Sequence, residues 1–242
     1  MSHLRVLRVE LRNATALVTG ANRGLGAEFV RQLIERGAAK VYAATRRPET
    51  ITGGNTRIVP TYLDITNDAT VVDVAGTASD VDVVINNAGV STMQNLVTGD
   101  LDAIRLELAT HFWGTLSMTR AFTPILARNG GGAILNVLSI GSFQVFAGNG
   151  AYAAAKAAEW QLTNSTRLEL AAQGTQVLGL HLSATDTDML DGVDMPKNNP
   201  ADVIRQALDG LESGLDEVLA DAETRAVKAL LAQPPGAMYA RG

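Results

Sequence analysis

Residues 15–36 read TALVTGANRGLGAEFVRQLIER, and this stretch predicts a strand, a glycine-rich turn and a helix in succession. A short apolar run at 15–19 leads directly into a turn with glycines at 20, 24 and 26. Apolar residues then recur at three- and four-residue spacing over 27–36, as in a helix with one buried face. Glycines between a strand and a helix let the backbone approach a phosphate, whose charge the helix N-terminus stabilises. A plain tight turn is the alternative, because the glycine spacing differs from the standard dinucleotide fingerprint.

The alternation of strand and helix continues along the chain. Short apolar runs predict six more buried strands, at 40–44, 58–62, 81–86, 133–137, 176–181 and 217–220. Helical spacing of apolar residues predicts helices at 101–128, 152–173 and 200–212. Such alternation favours an α/β fold with a single doubly wound parallel sheet, a Rossmann fold of about seven strands with helices on both faces.

The composition fits one domain over residues 1–242 and argues against several classes of partner. A chain that is 46% hydrophobic and 19% charged can bury one sizeable core. The net charge of −5, with scattered arginines, predicts no binding of nucleic acid or membrane. The chain has no cysteine, and its three histidines lack metal-ligand spacing, so no metal site is expected. Neither a signal peptide nor a membrane span is apparent, and a cytoplasmic location is expected.

Two segments near the C-terminus are predicted to be irregular. Residues 186–200 are polar and contain Pro196 and two asparagines, which favours a short mobile lid over the substrate. Residues 234–242, PPGAMYARG, are predicted to form a loose tail.

Arginines stand where a nucleotide-binding fold selects its cofactor. Counting about 20 residues on from Gly26 leads to Arg46, just beyond the second strand. A carboxylate at this place binds the ribose 2′-hydroxyl, whereas an arginine accommodates a 2′-phosphate. Arg23 in the glycine turn supplies a second guanidinium suited to phosphate. The pair predicts NADP(H), the alternative being a solvated turn in which Glu49 balances the charge.

Tyr152 and Lys156 are four residues apart at the start of a predicted helix, so their side chains share one face. A phenol is a weak acid at neutral pH, and a neighbouring ammonium stabilises its phenolate. Ser139 follows the predicted strand 133–137, at the edge where parallel sheets bind ligands. Alone it would be an ordinary loop residue. With Tyr152 it offers two hydrogen-bond donors to one substrate oxygen.

Taken together, TGANRGLG at 19–26, NNAG at 86–89, Ser139 and YAAAK at 152–156 resemble the classical short-chain dehydrogenase/reductase family over nearly the whole chain. The resemblance implies that Tyr152 is the proton donor, that Ser139 orients the substrate and that Lys156 also holds the nicotinamide ribose. It implies that Asp64 touches the adenine and Thr187 the carboxamide. The implied cofactor-binding residues are Gly20, Asn22, Arg23, Gly24, Leu25, Gly26, Arg46, Asp64, Ile65, Asn87, Ala88, Gly89, Tyr152, Lys156 and Thr187.

Three places depart from the family pattern. His111 stands where the family has an asparagine that holds a water between the lysine and solvent. We expect it to act in a catalytic proton relay as a neutral imidazole, because Lys156 disfavours a second cation, and the alternative is a packed or capping histidine. Ser183 and Ala184 replace a Pro-Gly pair. The usual Asp-Gly-Gly ending of the last strand is missing, and 218–231 is predicted to continue as a helix, so a dimer through the long helices is expected as readily as a tetramer.

The motifs therefore predict an NADP(H)-dependent oxidoreductase that interconverts a small-molecule carbonyl compound and its alcohol by hydride transfer. A homodimer or homotetramer is expected. The alternative from another class is a non-catalytic dinucleotide-binding sensor or scaffold of the same fold. A nucleotide-sugar epimerase or dehydratase would need a C-terminal substrate domain, for which the chain has no room.

Overall fold

A computed structural model describes residues 9–239, which form one seven-stranded parallel sheet. The strand order is β3-β2-β1-β4-β5-β6-β7, so the order reverses between β1 and β4 and opens a crevice at their carboxyl ends. The strands are β1 (Thr15–Thr19), β2 (Lys40–Thr45), β3 (Ile58–Tyr62), β4 (Val83–Asn86), β5 (Ala133–Val137), β6 (Gln176–His181) and β7 (Glu217–Leu219). The predicted fold class is confirmed, and every predicted strand is present, with boundaries that differ by at most two residues.

Helices cover both faces of the sheet. They are α1 (Gly24–Glu35), α2 (Asp68–Thr77), α3 (Leu101–Leu108), α4 (Thr115–Arg128), α5 (Gly150–Leu170), α6 (Pro200–Glu212), α7 (Ala222–Leu230) and α8 (Pro235–Met238). Side chains alternate across a strand, so Val18 of β1 packs in the core beneath α1 and α6, while Leu17 packs beneath α2 and α4. None of the helices in residues 9–239 combines the length and the hydropathy that a membrane span requires.

The sequence pattern did not predict α2. Its sequence, DATVVDVAGT, is rich in β-branched residues, which lower helix propensity, and only Val71 and Val74 are buried. The helix begins at a cap that is visible in the sequence, because the Asn67 side chain accepts a hydrogen bond from the Ala69 amide.

The helix predicted as one element over 101–128 is interrupted. A π-helical segment, Ala109–Gly114, separates α3 from α4. A π turn holds an extra residue and rotates the side chains that follow, so a period of 3.6 residues cannot reveal it. His111 lies in this segment and is only 1% exposed.

The C-terminal part is more ordered than predicted. β7 ends at Leu219, and α7 begins two residues beyond Ala220, where the Asp221 carboxylate accepts hydrogen bonds from the amides of Thr224 and Ser183. The prediction that 218–231 is one helix is therefore wrong over its first four residues. The predicted loose tail is also wrong as far as Tyr239, because α8 packs there and the Tyr239 hydroxyl accepts a hydrogen bond from the Val145 amide. Residues 1–8, which include His3, and residues 240–242 of the predicted tail lie outside the described residues.

Candidate active site

A cavity of about 940 Å³ opens at the carboxyl ends of the strands around the β1–β4 crevice. All the residues predicted for cofactor binding or catalysis line it, although they come from distant parts of the chain. They are Gly20, Asn22, Arg23, Gly24, Leu25, Gly26, Arg46, Asp64, Ile65, Asn87, Ala88, Gly89, His111, Ser139, Tyr152, Lys156 and Thr187.

The glycine turn forms one end of the cavity. Gly20 and Gly24 have φ angles of +65° and +52°, in the region that other residues rarely adopt. A Cβ on Gly26 would lie 2.1 Å from the Gly20 carbonyl oxygen, a backbone atom that cannot move aside. Arg23 at the N-cap of α1 makes no side-chain capping bond, so the first amides of the helix remain available to an anion. This geometry fits a dinucleotide pyrophosphate.

Hydrogen bonds join the ends of β1 and β4 beneath this turn. The Asn87 side chain donates to the Thr19 carbonyl over 2.9 Å, and the amides of Asn87 and Ala88 both donate to the Thr19 hydroxyl. Asn87 therefore braces the glycine turn from the neighbouring strand.

Two arginines at the same end carry free positive charge. Arg46 and Arg47 are exposed, and within residues 9–239 neither side chain forms an ion pair or a hydrogen bond. Arg47 also lines the cavity and was missed in the sequence, although it is adjacent to Arg46. Arg23 instead forms an exposed ion pair with Asp188, at 3.2 Å between Nη1 and Oδ2. The free arginines at the end of β2 are placed to meet a phosphate.

Ser139 and Tyr152 face each other across Gly141. A Cβ on Gly141 would lie 3.3 Å from the Ser139 Oγ and 3.2 Å from the Tyr152 Cε1. Ser139 accepts a hydrogen bond from the Gly141 amide, which orients its hydroxyl, and the hydroxyl proton has no acceptor among residues 9–239. Both hydroxyl groups can therefore point to one ligand oxygen in the cavity.

Lys156 lies one helical turn beyond Tyr152, with its Nζ 5.8 Å from the centre of the tyrosine ring. The ammonium donates to the Val137 carbonyl and to Glu159 Oε2, both over 2.7 Å, which leaves one N–H for a ligand. Burial opposes the charge, but the acidic groups around it, Glu159 foremost with Tyr152 and Glu107, together outweigh burial and hold the pKa of Lys156 above its ordinary value. Lys156 therefore remains a cation beside Tyr152.

Two buried glutamates near His111 were missed in the sequence. Glu159 Oε2 lies 3.7 Å from His111 Nδ1, and Glu107 Oε2 lies 3.4 Å from His111 Nε2. Burial alone would raise the pKa of Glu107, but the nearby His111 ring and hydrogen bonds from Thr92 lower it below the ordinary value. The expectation that His111 is neutral was based on Lys156 alone, and it stays a prediction now that the structure adds two carboxylates beside the ring. The signal was present as i, i+4 and i, i+3 spacings, from Glu107 to His111 and from Lys156 to Glu159.

His181 supports Ser139 from behind and was not assigned a role in the sequence. Its Nδ1 lies 3.2 Å from the Ser139 carbonyl oxygen, and its ring stacks on Phe143 with centroids 4.3 Å apart. Burial lowers the pKa of His181 to about 3, so the ring is neutral at physiological pH. A neutral ring packed here stabilises the loop that carries Ser139.

The chain is similar in sequence and structure to known proteins. The family model of the short chain dehydrogenases matches residues 14–198. A short chain dehydrogenase from Burkholderia cenocepacia J2315, solved in complex with NADP, is 39% identical over 96% of this chain and 98% of that chain, with a TM-score of 0.92. The 1-deoxy-11-beta-hydroxypentalenate dehydrogenase of Streptomyces exfoliatus is 31% identical over 83% of this chain and 78% of its own length. The chain belongs to the short-chain dehydrogenase family.

Proposed function

We propose that this protein is an NADP(H)-dependent oxidoreductase that interconverts a bulky apolar carbonyl compound and its alcohol. The observation that carries the proposal is the placement of Ser139, Tyr152 and Lys156 in the cavity that also holds the glycine turn and two unpaired arginines. The three side chains suit proton transfer to a carbonyl oxygen, and the glycine turn with the two arginines suits a phosphorylated dinucleotide.

The cofactor choice follows from the charges at the end of β2. Arg46 and Arg47 would bind the 2′-phosphate, and Arg23 would share in it when released from Asp188. The N-terminus of α1 would bind the pyrophosphate, and Asp64, Ile65 and Thr187 would contact the adenine and carboxamide ends. The relative solved with NADP supports this choice. When bound, the cofactor supplies the hydride that the protein itself cannot provide.

The remaining chemistry belongs to the side chains. The Ser139 hydroxyl donates a hydrogen bond to the carbonyl oxygen and holds it against Tyr152. The Tyr152 hydroxyl gives that oxygen a proton as negative charge develops on it, a contribution of roughly 10²- to 10⁴-fold in such sites. Lys156 stabilises the phenolate that remains, and its free N–H orients the cofactor's ribose. In the oxidation direction the phenolate accepts the alcohol proton.

Apolar side chains that line the cavity indicate the substrate class. Six large ones are solvent-exposed: Met93, Leu106, Phe146, Met189, Val193 and Met195. Among the described residues, the only lysine or arginine side chains that line the cavity are the three arginines near the glycine turn and Lys156, so no further cation is available to an acidic substrate group. Methionines adapt to irregular shapes. These side chains therefore favour a bulky apolar ketone or aldehyde, or its alcohol.

We further propose that residues 186–200 form a substrate lid and that the protein acts as a homo-oligomer in the cytoplasm. Residues 187–191, 193 and 195 line the cavity, and the Arg23–Asp188 pair connects this segment to the glycine turn.

Exposed apolar side chains support the proposed oligomer. Trp113 in the π segment and Leu168 on α5 are 60% and 80% exposed, which supports a dimer through the long helices.

A panel of bulky and small ketones, aldehydes and alcohols, assayed with NADPH or NADP⁺ by absorbance of the reduced nicotinamide, tests the proposal. We expect turnover of the bulky apolar members by the wild type, and turnover slower by about 10²-fold or more by Tyr152→Phe at the same enzyme concentration. If the wild type binds NADPH but turns over no member of the panel, the sensor alternative replaces this proposal.

A further inference from the structure

A loop between Ser139 and Tyr152 carries one of the exposed apolar side chains of the cavity. This loop, residues 144–149, ends where α5 begins, and its Phe146 lines the cavity and is 41% exposed. We call it the Phe146 loop. Of the four backbone amides at 145–148, that of Val145 is the one that donates a hydrogen bond to another described residue. The position of Phe146 therefore depends on what holds the neighbouring residue, Val145.

The C-terminal segment holds Val145. Its amide donates a hydrogen bond to the Tyr239 hydroxyl over 3.1 Å, although the two residues are 94 positions apart in the chain. Tyr239 directly follows α8, whose Met238 packs against the buried cluster that contains Phe143 and Val227. None of these five residues lines the cavity. The C-terminal segment therefore contacts the Phe146 loop from outside the cavity.

Stability of the fold does not account for this contact. The helix α8 has four residues, none of them buried, and Tyr239 is 42% exposed. Because the free energy of folding comes mainly from apolar surface removed from water, so little burial contributes little to it. The contact nevertheless connects the end of the described chain with a loop beside the active site. Its consequence is the position of that loop.

We propose that Tyr239 is a positioning residue that acts through Val145 on Phe146 and so sets the affinity for bulky apolar substrates. The inference rests on the proposed function, in which such a carbonyl compound occupies the cavity. A bulky substrate that reaches Phe146 removes apolar surface from water only while the loop is held in place. A small ketone that binds to Ser139 and Tyr152 does not need this contact. The C-terminal segment thus selects substrates by size without touching them.

The variant Tyr239→Phe tests this role, because it removes the acceptor of the Val145 amide and keeps the aromatic ring. The loss of one partly exposed hydrogen bond should raise the KM of a bulky apolar ketone about fivefold and leave its kcat within about twofold of the wild type. The KM of a small ketone and the Kd of NADPH should not change. A general loss of folded protein would instead lower kcat for both ketones.

Tyr62→Phe is the matched control. It makes the same substitution at a tyrosine that is 56% exposed and does not line the cavity, and it should equal the wild type in every measurement. An unchanged KM for the bulky ketone in Tyr239→Phe, or an equal rise for both ketones, would mean that the C-terminal segment does not select substrates. Either result overturns the proposal.

A double-mutant cycle tests whether the effect passes through Phe146. Phe146→Ala should by itself raise the KM of the bulky ketone, because it removes the apolar contact. Adding Tyr239→Phe to this variant should then change the KM by less than about twofold, since residues that act through one another are not additive. A further rise of about fivefold would show that Tyr239 acts by another route and would overturn the proposal.

A measurement without turnover distinguishes failure of this inference from failure of the proposed function. Hydrogen exchange of the Val145 amide in the NADPH-bound protein, followed by NMR, should be about fivefold faster in Tyr239→Phe than in the wild type and unchanged in Tyr62→Phe. If the wild type reduces no member of the panel, the proposed function fails, and the exchange rates still decide whether Tyr239 holds the loop. Equal exchange in the wild type and Tyr239→Phe overturns the inference whatever the panel shows.

Discussion

Replacing Arg46 by aspartate should remove the preference for NADPH over NADH. The wild type should prefer NADPH by at least about tenfold in kcat/KM, because a charge-assisted hydrogen bond is worth about 1.5–3 kcal/mol and 1.4 kcal/mol corresponds to tenfold. Arg46 is exposed, and solvent screening reduces its contribution toward the lower end of that range. In Arg46→Asp the carboxylate repels the 2′-phosphate and accepts a hydrogen bond from the free 2′-hydroxyl of NADH. The ratio of the two efficiencies should therefore fall to about one or below.

The assay is the steady-state rate with one accepted carbonyl compound at a series of NADPH and NADH concentrations, at low and at high salt. Arg120→Asp is the matched control, since it makes the same charge change at an exposed position that does not line the cavity. Raising the salt should narrow the wild-type preference, because exposed charges are screened over roughly 10 Å at 0.1 M ionic strength. Equal efficiency of the wild type with both cofactors, or an unchanged ratio in Arg46→Asp, would refute the assignment of this arginine.

Three further predictions follow from individual positions. Tyr152→Phe should bind NADPH with unchanged affinity, measured by nicotinamide fluorescence, but its kcat should be lower by about 10²-fold or more. Normal turnover by this variant would exclude Tyr152 as the proton donor. Gly26→Ala should show no thermal stabilisation by NADPH, because its Cβ would lie 2.1 Å from the Gly20 carbonyl oxygen, whereas Gly76→Ala in α2 meets no atom within 4 Å and should behave as the wild type. Folding lowers the pKa of His181 from 6.5 to about 3. Between these two pH values the imidazole binds a proton in the unfolded chain but not in the folded one. The free energy of unfolding is therefore highest above pH 6.5 and falls as the pH is lowered. Between pH 7 and 5 the free energy of unfolding should fall by about 2 kcal/mol more in the wild type than in His181→Asn, measured by urea unfolding, and equal losses would contradict a buried neutral ring.

Local patterns in the sequence predicted most of the fold and the ligand-contacting part of the site. The strands of a parallel sheet are continuous apolar runs, and Gly20, Gly24 and Gly26 stand at a turn between a strand and a helix. Arg46 was found by its distance of 20 residues from Gly26, a distance that is set by the length of one helix and one strand. The structure places the three glycines and Arg46 at one cavity.

Other features could not be predicted because they depend on contacts between distant segments. The π segment, Ala109–Gly114, has no hydrophobic periodicity that distinguishes it from an α-helix, and the sequence around it is typical of one amphipathic helix. Asp188 was expected to lie in a lid, but not to pair with Arg23, 165 residues away. The order of the C-terminal segment likewise depends on Tyr239 meeting Val145.

The sequence alone was enough to predict the family, the order of the strands along the chain, and the residues expected to meet a cofactor and a carbonyl oxygen. The folded structure was needed to show which ionisable groups are buried together, as Glu107, His111 and Glu159 are, and which histidine lies behind Ser139. Periodicity and glycine positions are properties of neighbouring residues, whereas the charge state and hydrogen-bond partners of a buried group depend on side chains that packing brings together from far along the chain.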